Sequence, residues 1–236
     1  MNFVETCVKD SLPVWKECLE SEFLRKMADG SLEEECFKGY IVDDSLYLRE
    51  YARVFAWGIL GAENMEEIRA YYSLLSFVNE SEDSTRRYYL ERYGLEDADI
   101  QRLPLRPQNR AYVEEMHRAA GNSRQAPECM MASLPCMLSY GWIFKEMLKR
   151  DPQVKDTVYG RFVSDYAGKD YERLCREWTD FAEKVCGGLS EERKRRCLSI
   201  FRACSEHEKH FWEMSAVPRE DISPPGMIHI MERTSL

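Results

Sequence analysis

The chain has 236 residues, 44% of them hydrophobic and 32% charged, with a formal net charge of -9 at pH 7. That length can bury a substantial core, and the excess of acids speaks against nucleic-acid binding, which needs clustered Lys and Arg against phosphates. No stretch approaches the ~20 apolar residues of a membrane span, no charged-then-apolar leader opens the chain, and nine cysteines without a CxxC pair fit the reduced thiols of a cytosolic protein better than a disulfide framework or a zinc site.

Helical periodicity runs along nearly the whole sequence, and neither period-2 alternation nor an Asn-Gly or Asp-Gly hairpin signal interrupts it. Helices are predicted over Phe3 to Ala28 and over Leu32 to Leu60, the second opening on "SLEEE", where Ser31 and Glu34 have the spacing of a capping box. Met65 to Asn79 and Glu80 to Tyr93 follow. The linker Gly94 to Pro107 carries Gly94, Pro104 and Pro107. Further helices are predicted over Gln108 to Ala120, Ala126 to Arg150, Pro152 to Tyr166, Asp170 to Cys186 and Ser190 to Ser215. The last is capped by Ser190 and opens on the one basic run, "EERKRR" (Glu191 to Arg196), which reads as a solvated face. Residues 1–216 thus form one all-α domain. Val217 to Leu236, with "ISPPGM", reads as an extended arm, either loose or packed on a partner subunit.

Three apolar stripes carry polar groups. Tyr40, Asp44, Tyr47 and Tyr51 lie at i, i+4, i+7 and i+11 and share one helix face, so Asp44 sits within an aromatic stripe. Its neighbour Asp43 points about 100° away and is expected to be the solvated one. Cys197, Phe201, Cys204, Glu208 and Phe211 repeat the spacing, with Glu208 in the slot of a core hydrophobe. Burial there should raise its pKa and suit it to general acid work. Cys129, Ser133, Cys136, Tyr140 and Phe144 form the third stripe. Pro135 leaves the Met131 carbonyl without its helical donor, and the expectation is a bend that sets Cys136 in a non-helical backbone. Taken singly, each polar group also reads as structural: a buried thiol as a small hydrophobe, a buried acid as a tie between helices. If the three faces meet, they enclose a polar pocket walled by Tyr and Phe, suited to a small, flat, polar ligand.

Four segments carry a resemblance to a known family: "YIVDDSLYLREYARVFA" (Tyr40 to Ala56), "LPCMLSYGWI" (Leu134 to Ile143), "FVSDYAGKDY" (Phe162 to Tyr171) and "SEHEKHFWEMS" (Ser205 to Ser215). In order and spacing the chain resembles the TenA/thiaminase II family over essentially Met1 to Ala216. The resemblance implies an all-α, heme-oxygenase-like multi-helix bundle, assembled as a homotetramer in the cytoplasm. It also implies an aminopyrimidine aminohydrolase of thiamin salvage, releasing ammonia from 4-amino-5-aminomethyl-2-methylpyrimidine to give hydroxymethylpyrimidine, with thiamin as a further substrate in many members. No metal or organic cofactor is implied, and Cys136 looks like the pocket cysteine of one branch. By the same resemblance Cys136 attacks a ring carbon, Glu208 protonates or hydrogen-bonds a ring nitrogen, and Asp44 binds a ring nitrogen and the exocyclic amine. Tyr140 and Tyr166 orient polar groups, while Tyr47 and Tyr112 line or stack on the ring.

The sequence departs from the family at Asp43, where Gln is common, at Phe162, where Trp is common, and at His207, where Tyr is common. Asp43 is expected to add negative charge near the pocket. Two rival readings stay open. A di-iron oxidase on the same fold would use Glu-x-x-His pairs, of which Glu114 and His117 form one, with His207 and His210 three apart beside Glu208. A non-catalytic pyrimidine-binding protein would keep the aromatic pocket and need neither thiol nor acid.

Overall fold

The computed structural model of the chain describes residues 1–77, 83–121 and 125–222. Among the described residues eleven α-helices follow one another and there is no strand. They are α1 (Phe3–Leu19), α2 (Glu22–Asp29), α3 (Glu34–Gly61), α4 (Met65–Phe77), α5 (Asp83–Tyr93), α6 (Asp97–Ile100), α7 (Pro107–Met116), α8 (Ala126–Arg150), α9 (Gly160–Ala167), α10 (Lys169–Cys186) and α11 (Glu191–Ser215). A π-helical turn, His117–Gly121, follows α7, and a 3₁₀ turn, Pro152–Asp156, precedes α9. None of these helices is long and apolar enough to cross a membrane.

Helix α8 is the centre. It packs against α11, α3, α10, α9 and α1, and α11 packs in turn on α1 and α7. The three polar-bearing stripes all point inward: Tyr40, Asp44, Tyr47 and Tyr51 of α3, Cys129 to Phe144 of α8, and Cys197 to Phe211 of α11 are buried. None of the nine cysteines forms a disulfide.

Several boundaries differ from expectation, each for a local reason. The first helix is two, because Ser21 takes an extended conformation and its hydroxyl accepts the Leu24 N–H, starting α2 afresh. Ser31 is not the cap of α3; Glu33 occupies that position without a side-chain cap, and the Ser31 N–H is bound by Asp29 instead. The linker after Gly94 contains the short α6. Gly94 itself is left-handed (φ 63°) and closes α5 while the Leu95 N–H reaches the Leu90 carbonyl. Asn79 and Glu80, the expected ends of two helices, lie outside the described residues. So does the arm from residue 223 onward.

The non-helical backbone expected at Cys136 is absent. Helix α8 runs unbroken from Ala126 to Arg150 with Pro135 inside it. Side chains from other helices bond its carbonyls on both sides of the proline: Tyr51 donates to Ser133 O (2.8 Å), and Tyr171 to Met137 O (3.1 Å). These ties from α3 and α10 anchor the helix on both sides of the proline.

Asp43 is not solvated. Its carboxylate is fully buried between Arg106 and Arg219, so its charge is matched by guanidinium rather than added to the pocket. Burial pushes this carboxyl above its ordinary range while the two arginines pull it down. Arg219 lies beyond α11, so the beginning of the expected arm packs on its own chain. The run Glu191 to Arg196 is largely exposed as expected, with Arg193 and Arg196 ion-paired to the buried Glu128 of α8.

Candidate active site

Glu208 lies two turns before the end of α11, in an apolar slot, with 2% of its surface exposed. The Tyr112 hydroxyl of α7 donates to its Oε1 at 2.7 Å, and the Cys136 thiol of α8 donates a second hydrogen bond to the same carboxylate. Burial pushes Glu208 up to about 7; the two hydrogen bonds draw it down and the Asp44 charge raises it further. The carboxyl is therefore poised to hold or release a proton near neutrality.

Asp44, Tyr47 and Tyr140 complete the group. Asp44 of α3 is buried and acts electrostatically on both Glu208 and Tyr140. Tyr47 lies one turn after Asp44, its ring centroid 4.9 Å from that of Tyr112. The Tyr47 phenol is held far above its ordinary range by burial first, then by the proximity of Cys136. Tyr140 lies one turn beyond Cys136, with its hydroxyl 2.9 Å from that of Tyr40. Desolvation holds Tyr112 and Tyr140 high as well. All three phenols are thus neutral hydrogen-bonding groups near pH 7.

Three helices that are distant in sequence therefore bring Asp44, Cys136 and Glu208 into one buried neighbourhood, with Tyr47, Tyr112 and Tyr140 among them. Tyr166 packs on Tyr140 (5.2 Å), Phe162 (4.8 Å) and Phe144 (5.6 Å). Phe162, at a position where the family commonly has Trp, holds Tyr166 edge to face.

Two residues of this neighbourhood were not singled out as site residues, although a signal for each existed. Tyr40 is one turn before Asp44 on the same stripe, and Trp212 is one turn after Glu208. Their rings stack at 5.4 Å with an interplanar angle of 9°, and Trp212 packs on Tyr140 at 5.0 Å. Together they wall the site with flat apolar surface.

The histidines of the di-iron reading serve other contacts. His117 lies edge-on to Trp57 (4.9 Å) with its Nε2 3.2 Å from Glu50. His207 stacks on Tyr112 (5.5 Å, 11°), and His210 lies edge-on to His207. Among the described residues no group of three or more His, Cys, Asp or Glu is placed to hold a metal ion.

A model of the TENA/THI-4/PQQC family matches residues 9–217. An aminopyrimidine aminohydrolase of Halalkalibacterium halodurans is 28% identical over 216 residues, covering 91% of this chain and 96% of that protein. One of Helicobacter pylori is 26% identical over 203 residues, covering 86% and 93%. The crystal structure of a TenA family transcription regulator from Silicibacter sp. TM1040 superposes with a TM-score of 0.81 at 23% identity, covering 92% of this chain and 97% of that one. At that identity the likeness establishes the all-α fold.

Proposed function

This chain belongs to the TENA/THI-4/PQQC family, and from that premise we propose that it is an aminopyrimidine aminohydrolase. It hydrolyses 4-amino-5-aminomethyl-2-methylpyrimidine to hydroxymethylpyrimidine and ammonia, with thiamin as a further substrate. Relatives similar along nearly the whole chain carry that activity in their names. The observation that carries the reading is the carboxyl of Glu208, near 7, hydrogen-bonded to both a thiol and a phenol inside an aromatic enclosure.

The chemistry follows from these groups. Ionised Glu208 takes the Cys136 proton, and the thiolate adds to a ring carbon of the pyrimidine. Glu208 returns that proton to a ring nitrogen, so no charge builds up on the ring. The aminomethyl group enters protonated, and the nitrogen's electron pair then expels its amine from the exocyclic methylene as neutral ammonia. Water adds to the methylene and gives a proton to solvent, and the Cys136 sulfur then leaves as thiolate while Glu208 carries the ring-nitrogen proton back to it, which restores the aromatic ring and the thiol. Asp44 binds a ring nitrogen and the 4-amino group. Tyr47 and Tyr112 flank the ring, and Tyr140, backed by Tyr166, orients polar groups. The buried setting strengthens each of these electrostatic interactions relative to water.

The proposal includes a homotetramer in the cytoplasm, the first from the family resemblance and the second supported by nine cysteines of which none forms a disulfide. The test is direct. Purified protein incubated with the aminopyrimidine should release ammonia and hydroxymethylpyrimidine in equal amounts. Binding without turnover would replace the enzyme by a pyrimidine-binding protein, and stoichiometric iron in the purified protein would favour the oxidase.

A further inference from the structure

Asp43 is held at both carboxylate oxygens and at its carbonyl. Arg219 Nη1 lies 2.6 Å from Oδ1 and Arg106 Nε 2.7 Å from Oδ2, while Asn109 Nδ2 donates to the Asp43 carbonyl at 2.8 Å. Arg219 also grips Asp221 through Nε (2.8 Å) and Nη2 (2.7 Å) and the Pro104 carbonyl (2.9 Å). Arg106 Nη1 reaches the Val217 carbonyl at 2.8 Å. Two arginines and two aspartates thus form a network without net charge. A buried carboxylate there requires such pairing.

The network joins three elements. Asp43 is on α3, next in sequence to Asp44 and four residues before Tyr47. Asn109 is on α7, one turn before Tyr112, which holds Glu208. Arg219 belongs to the segment 216–222 that leaves α11, the helix of Glu208. This segment lies along α3: the Cys36 thiol donates to the Ala216 carbonyl, and a Cβ at Gly39 would stand 3.3 Å from the Arg219 nitrogen, so α3 is cut back to backbone where the segment crosses it.

We propose that Asp43 and Arg219 are positioning residues, and that the segment after α11 fixes Asp44 and Tyr112 at the angle the pyrimidine requires. The inference rests on the reading of Asp44 and Tyr112 as substrate-side groups. One residue along α3 turns the side chain by about 100°. Clamping Asp43 from outside therefore sets the rotation of the helix at Asp44 inside. A shift of about 1 Å in a binding group is enough to cost much of its effect.

The test compares kcat, KM and their pH profiles for aminopyrimidine hydrolysis in wild type, Arg219→Met, Arg219→Lys and Asp43→Asn, each checked by circular dichroism. Arg219→Met is expected to raise KM about tenfold, while the limb of the kcat profile set by Glu208 stays in place. Arg219→Lys should recover part of the loss, since one ammonium keeps the charge and cannot serve Asp43, Asp221 and Pro104 together. Asp43→Asn should follow Arg219→Met. Folded variants with wild-type KM overturn the positioning role while leaving the enzyme intact. Three variants that all fail to fold also overturn it, because the network then belongs to folding. A wild type inactive on the aminopyrimidine overturns the functional reading first and this inference with it.

Discussion

The Tyr112 hydroxyl donates to Glu208 Oε1 across 2.7 Å, and this bond ties the pKa of the buried acid to a residue on another helix. It stabilises the ionised carboxylate and so draws Glu208 down against the upward push of burial. Tyr112→Phe removes it and should raise the pKa. A hydrogen bond to a charged group of ~1.5 kcal/mol corresponds to about one pH unit. Because ionised Glu208 must accept the thiol proton, the acidic limb of kcat/KM is expected to move upward by about that amount. An unmoved limb would show that another group sets it.

Glu208→Gln should separate activity from stability. Activity is expected to fall by ~10²-fold or more, the usual size of an acid–base contribution. Stability should change the other way. In the folded protein Glu208 keeps its proton up to about 7, against 4.5 ordinarily, so between those values the native state binds more protons than the unfolded one. Its favourable contribution is complete below pH 4.5 and is lost as pH rises through 7. Glutamine is spared this loss. The variant should gain on wild type by roughly 3 kcal/mol between pH 4.5 and 8, measured by denaturant melts at both pH values.

Cys136→Ser keeps a hydrogen-bond donor beside Glu208 but removes a thiol that can ionise. A fall of ~10²-fold or more in ammonia release, with the Glu208 limb unchanged, is the expected result. Equal activity in wild type and variant would exclude the nucleophile role.

Gly58→Ala probes the scaffold away from the acid. A Cβ there would run into the Tyr71 ring, which is fully buried and bonded through its hydroxyl to the Ala126 carbonyl. Overpacking of this kind costs ~1–3 kcal/mol. Thermal unfolding should shift down accordingly, while folded protein keeps its KM.

Much of the architecture was readable from helical periodicity, because the spacing of apolar residues records which side of a helix is buried. The stripes of α3, α8 and α11 were found this way, and burial of Glu208 with its raised pKa followed from its place among Cys204 and Phe211. Local breaks were read less well. The split at Ser21 and the π turn at His117–Gly121 arise from single backbone choices that a periodic signal averages over. Asp43 and the backbone at Cys136 differ from expectation for a related reason. The helical wheel gives the direction of a side chain without saying what waits there, and Asp43 points at arginines 63 and 176 residues away. The backbone at Cys136 stays helical beyond Pro135, and hydroxyls from α3 and α10 bond the carbonyls on either side of the proline.

The sequence alone determined the helical character, the three inward faces and which residue types occupy them, since these depend on neighbours within a few turns. Tertiary structure decided that Glu208 meets Cys136 and Tyr112, and that Asp43 is neutralised by Arg106 and Arg219. Those pairings depend on how α3, α7, α8 and α11 cross. Contacts between segments far apart in the chain are fixed by packing the whole core, and no local pattern records them.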